Sequence, residues 1–266
     1  MTAPHAGHWE PAAERPARGL FAAAAAPRER PGCGPAARGV LASAAAAVGS
    51  FFLEPGSASP PPGSEAAPPL EQRRVVSVFG LARGCGGTVV ARALAAELAL
   101  RDPAGTAAVC SDARPGGIPL ATHAATRLAR TLAAVPRAAP RAVGRLCLVG
   151  GADPLRLADT ARHHAPLVID AGCDAIGGAA AAVADRTVLV TTATTEPALV
   201  QVAAECIARA GAPPIVVLNR APHDQPGAVA LPNSPMGARL ALGGREARGE
   251  LGRAIAALAD LCEEHA

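Results

Sequence analysis

The chain is 266 residues long, with a formal net charge of +3, 25 basic residues that are all arginine, 22 acidic residues and 2% aromatics. That length suits one domain of about 150–200 residues plus a tail. Arginines balance acidic residues, 5 against 5 in residues 1–70 and 20 against 17 in the remainder. This argues against a polybasic nucleic-acid arm, and the lack of tyrosine argues against a stacking platform for single strands.

Residues 1–70 are dominated by Ala, Pro and Gly, close in PPPGSEAAPP, and hold too few large apolar side chains for a core. They read as a mostly disordered extension. Within them, the uncharged run 39–53 (GVLASAAAAVGSFFL) has 15 residues, short of the roughly 17–25 that span a bilayer. It lies too far from Met1 for an ordinary signal peptide and reads as a short docking helix. Membrane contact is not expected.

From residue 71 to 266 strand-like and helix-like runs alternate, the pattern of an α/β domain built on a mostly parallel sheet. Strands are expected at 75–79, 107–110, 146–149, 167–169, 187–191 and 215–218. Helices are expected at 88–100, 122–134, 154–163, 179–184 and 197–210. The strands are apolar on both faces, as required when helices cover both sides. A last helix over 246–265 carries an apolar stripe of Leu251, Ile255, Leu258 and Leu261 that packs on the sheet. Its acidic end, Glu263 and Glu264, is wrong for a membrane-targeting helix.

Seven cysteines, an odd number with no C-x-x-C pair, read as reduced thiols and a cytoplasmic location. Cys110 and Cys147 fall in strand-like runs as small buried hydrophobes. Cys85 and Cys173 fall in loops at the ligand end of the expected sheet.

The segment 75–99 (VVSVFGLARGCGGTVVARALAAELA) is a strand, a glycine-rich turn and an apolar helix, the frame of a phosphate-binding loop. Aligning G-x-x-x-x-G-K-[ST] on Gly86 and Thr88 puts Gly87 at the lysine position. The chain has no lysine at all, yet arginine could have kept the charge there, so composition alone does not account for glycine. Ligands of open α/β sheets bind beyond the strand C-termini. There the sequence places Gly84, Gly86, Gly87 and Thr88, then Asp112 in SDARPGG, Asp170 in LVIDAG and Asn219 in IVVLNR.

Together with ADRTVLVTTATTEPALVQV and LPNSPMGARLALGG, these residues resemble the ParA/MinD family of deviant Walker-A P-loop ATPases, pilus-localisation members included. The likeness runs from about residue 73 to the C-terminus. It implies a P-loop NTPase-like sheet flanked by helices, binding ATP or ADP with Mg²⁺. The family loop reads K-G-G-x-G-K-T-[TS], which pairs its two lysines with Ala82 and Gly87, so both are missing. By the same resemblance, Gly84, Cys85, Gly86, Gly87 and Thr88 form the phosphate loop and Thr88 binds the magnesium. Asp170 is second shell to that metal, Asp112 is the switch aspartate that orients the attacking water, and Asn219 recognises adenine.

Backbone N–H groups at the glycines and the positive end of the helix dipole still favour an anion. Phosphoryl transfer depends on positioning and electrostatics, so the missing lysines tell most against hydrolysis. Arg83 and Arg114 are nearby cations at no motif position. G-x-G-x-x-G fails because Val89 takes the third place, G-x-S-x-G is absent, and His163 and His164 lack metal-ligand partners. The expectation is a regulatory or scaffolding pseudo-ATPase. The alternative is an ATP-dependent dimerising switch that positions a chromosome-segregation, septum or pilus component. Partners would be an unidentified protein or a second copy, with nonspecific duplex DNA a lesser candidate.

Overall fold

The computed structural model describes residues 72–113, 120–173, 176–221 and 226–264. The chain divides into Met1–Glu65 and Ala66–Ala266. The extension expected over 1–70, with its run 39–53, lies outside the described residues, as do Arg114 and His265.

In chain order the elements are β1 (Val75–Gly80), α1 (Gly87–Arg101), β2 (Ala107–Cys110), α2 (His123–Leu132), β3 (Ala139–Val143) and β4 (Leu146–Gly150). They continue with α3 (Pro154–Ala161), β5 (Leu167–Gly172), α4 (Ala179–Val183), β6 (Arg186–Thr192) and α5 (Pro197–Ala210). Last come β7 (Pro214–Asn219), β8 (Ala228–Leu231), α6 (Pro235–Leu242) and α7 (Gly249–Glu263). The eight strands form one sheet in the order β3-β4-β2-β5-β1-β6-β7-β8. Every pairing is parallel except β3 against β4.

β1 sits mid-sheet with all its residues buried, and successive side chains go to opposite faces, as strand geometry dictates. Val76 and Val78 enter a core roofed by α1, α6 and α7. Val75 and Phe79 enter a second core roofed by α2, α3, α4 and α5. Ser77, fully buried, is satisfied by donating to the Ala180 carbonyl of α4. At the strand N-termini, Asp185 accepts from the Val75 N–H at 2.7 Å and from both terminal nitrogens of Arg162 at 3.1 and 3.0 Å. Arg101, at the end of α1, reaches Glu97, Asp260 and Glu263 and so binds α7 alongside α1. Parallel strands, a central strand–loop–helix and helices on both faces make this a P-loop NTPase-like α/β fold.

Three elements go beyond the sequence reading: the antiparallel edge strand β3, the short β8 and the helix α6. The turn between β3 and β4 is stitched to the link after α6. Arg145 N donates to Gly244 O at 2.9 Å, and the two backbones approach so closely that a Cβ on Gly244 would overlap the Val143 carbonyl oxygen.

Cys110, Cys147 and Cys262 are free thiols inside this packing. Burial, reinforced by Asp112, Asp170 and Asp153, pushes Cys110 up to about 11. Burial pushes Cys147 and Cys262 up to about 12. Unfolded thiols ionise near 9.0, so the folded state holds these protons more tightly and their contribution to stability is complete below that pH. Stability should fall between pH 9 and 12, seen as a lower urea midpoint at pH 10 than at pH 7.5, and Cys147→Ala should flatten that slope.

Candidate functional site

β1 delivers the chain through the core to Gly80, and the loop that follows ends at Gly86, the N-cap of α1 with φ 95° and ψ 15°. An L side chain in that left-handed region costs about 1–2 kcal/mol. A Cβ there would also overlap Nδ2 of Asn219, so the position demands glycine twice over. No acidic residue occupies the first turn of α1 and no side chain caps it. Its leading N–H groups and the positive end of its dipole therefore face the loop without a competing carboxylate. Thr88 is half-buried in that turn, Gly84 is exposed, and Cys85 is buried. A Cβ on Gly87 would meet the Gly80 Cα at 3.5 Å, an ordinary contact, so packing does not itself demand glycine there.

β5 lies beside β1 with Asp170 in register with Val78, and β2 lies beside β5, which brings both aspartates to the loop's end of the sheet. The Asp170 carboxylate accepts from Ser111 Oγ at 2.9 Å. Fully buried Arg92, on α1, donates to the carbonyls of Ala113 at 2.6 Å and Leu242 at 3.2 Å. Burial pulls the Arg92 pKa down, while Asp170 opposes that pull. Asp112, exposed, accepts from the Gly151 N–H at 2.9 Å. Among the described residues neither aspartate caps a helix. Among the described residues no group of three or more His, Cys, Asp or Glu side chains could hold a metal by itself. A magnesium ion here would need nucleotide oxygens and Thr88 to complete its shell, as hard cations take several oxygen ligands.

Asn219, at the end of β7, donates from Nδ2 to the Cys85 carbonyl at 2.7 Å. Its Oδ1 accepts from the N–H of Arg220 at 3.1 Å, a residue held at φ 60°. A pocket of about 310 Å³ opens beside Gly86 and Asn219. Val89 and Ala93 of α1, Leu231 of β8, and Leu251 and Ile255 of α7 wall it, and the segment 232–235 borders it. The strand-end Asn219 and Gly86 of the loop thus share one concavity, with Thr88 in the adjoining first turn of α1. The residues present suit a planar base in the pocket and an anion at the helix N-terminus. They supply no cation at positions 82 or 87.

Sequence reasoning missed Ser111, Arg92 and the role of the last helix as a pocket wall. Arg92 left a signal, a lone arginine inside the otherwise apolar VVARALAA. Ser111 left only its place beside Asp112. The α7 stripe is core only in part: Leu251, Ile255 and Leu258 belong to the core cluster under α1, whereas Leu261, expected in the same stripe, is exposed near the helix end.

Among solved structures, the fold is similar to a ParA family ATPase from Chlorobium tepidum TLS, at 16% identity over 71% of this chain and 98% of that one, with TM-score 0.47. It is similar to the septum site-determining protein MinD complexed with Mg-ADP from Pyrococcus horikoshii OT3, at 16% identity over 72% and 96%, with TM-score 0.49. A nucleotide-binding protein in complex with ADP from Archaeoglobus fulgidus is similar at 16% identity over 68% and 87%, with TM-score 0.38. At that identity the likeness is one of fold. No family model matches the sequence, and no curated protein matches it. Among the described residues, no helix is long and apolar enough to cross a membrane.

Proposed function

We propose that this is a ParA/MinD-like regulatory or scaffolding protein, a pseudo-ATPase that binds an adenine nucleotide and turns it over negligibly. One observation carries the reading: Asn219 is locked onto the Cys85 carbonyl, so loop and base pocket are built as a unit, while Ala82 and Gly87 leave that unit without its cations. When bound, magnesium would neutralise charge between the terminal phosphates, with Thr88 its protein ligand and Asp170 behind it. In the chain's own residues, Gly86 and the α1 N-terminus orient an anion, Asn219 reads the base, and Asp112 is held by Gly151. Developing charge on a transferred phosphoryl group would meet no side-chain cation at position 87, and electrostatic stabilisation is the main lever for that chemistry. The output would be the docking of an unidentified protein partner or a second copy.

Calorimetric titration of the full chain with ATP and ADP, with and without Mg²⁺, paired with a phosphate-release assay, tests this. Saturable binding with release no faster than background is expected. Steady Mg²⁺-dependent release that is abolished by Asp112→Ala and by Asp170→Ala would overturn it in favour of an ATP-driven switch.

A further inference from the structure

We propose that the site selects an adenine nucleoside or nucleoside monophosphate, with the polyphosphate tail contributing less than tenfold to affinity. This rests on the adenine-site reading above and reverses the usual division of labour in such a loop, where phosphate contacts dominate.

The pocket volume of about 310 Å³ lies at the bottom of the range of small-ligand sites, about 300–1,000 Å³. That is room for a base and its sugar. The walls from α1, β8 and α7 are aliphatic and suit a ring stacked out of water, while Arg220, Asn233 and Ser234 border the remaining side. At the polar edge, Asn219 has one amide hydrogen committed to Cys85 O and one oxygen lone pair committed to the Arg220 N–H. A primary amide carries two of each, so one donor and one acceptor stay available. That pair matches the N7 acceptor and N6 donor of adenine and mismatches guanine, which shows two acceptors on that edge. The fixed bonds hold the amide in this orientation before any ligand arrives, which lowers the ordering cost of binding.

The opposite end offers far less. Gly86 and Gly87 bring no side chain, and the first turn of α1 carries no charged residue. Asp170 is already served by Ser111 Oγ and faces the charge of Arg92, so it has little need of a divalent ion. The helix dipole that remains favours a negative charge by about 0.3–1 kcal/mol, less than a tenfold gain in affinity.

The test is calorimetry on the full chain with adenosine, AMP, ATP and guanosine, each with Mg²⁺ and with EDTA. Adenosine should bind within tenfold of ATP, EDTA should leave both unchanged, and guanosine should bind at least tenfold more weakly. Asn219→Ala should weaken adenosine at least tenfold. Because that change also frees the loop, Val89→Phe, which fills the pocket from a half-buried position, should do the same with the fold checked by circular dichroism. ATP binding tenfold or more tighter than adenosine overturns the inference and leaves the nucleotide reading standing. No heat from any adenine compound at millimolar concentration overturns both.

Discussion

Alanine at Gly244 is expected to destabilise the domain by about 2–5 kcal/mol. The left-handed backbone, φ 67°, contributes about 1–2 kcal/mol of that, and overpacking against the Val143 carbonyl adds about 1–3 kcal/mol. Against a typical total of about 5–15 kcal/mol the loss is large. It should appear as a thermal midpoint lower by roughly 10 °C. Gly105→Ala is the control: its φ is 64° but a Cβ there meets nothing within 4 Å, so only the conformational part should register. Equal losses at the two positions would mean that the hairpin and the α6–α7 link can move apart freely.

Lysine at position 87 should raise ATP affinity about 10- to 100-fold, the equivalent of one charge-assisted hydrogen bond of about 1.5–3 kcal/mol, and leave adenosine unchanged. The backbone accepts the change, since Gly87 lies outside the positive-φ region and its Cβ has an ordinary neighbour. Titrating Gly87→Lys with both ligands separates the two ends of the site. A parallel gain for adenosine would show that the lysine acts on the fold and not on phosphate.

The parallel strands were legible because burial on both faces leaves short apolar runs, residues 75–79 broken only by Ser77 and residues 188–190 flanked by buried Thr187 and Thr191. β3 escaped because an edge strand needs no such run: Ala139–Val143 is APRAV, with Pro140 and Arg141 tolerated where one side has no partner strand. β8 has four residues, and α6 begins at a proline within LPNSPMGARLALGG, where the turn signals hide a short helix. At the site, residue identities marked the ends of β1, β2, β5 and β7, because ligand-bearing positions follow strand ends. What the sequence could not carry were the pairings across space: Ser111 with Asp170, Asp112 with Gly151, Arg92 with the Ala113 and Leu242 carbonyls. Those depend on strand order and register, which one chain read linearly does not display.

The bond from Asn219 to the Cys85 carbonyl joins residues 134 apart in sequence. Contacts that distant form more readily once the intervening chain is ordered, because loop-closure entropy must be met before they form. The glycine loop is made early in synthesis and Leu81 N–H bonds Val190 O of β6, yet the Asn219 bond closes only when β7 docks beyond β6. Ligand competence is therefore a late event in folding. A nascent chain halted before residue 219 would carry every residue of the loop and lack the Asn219 bond that ties it to the base pocket.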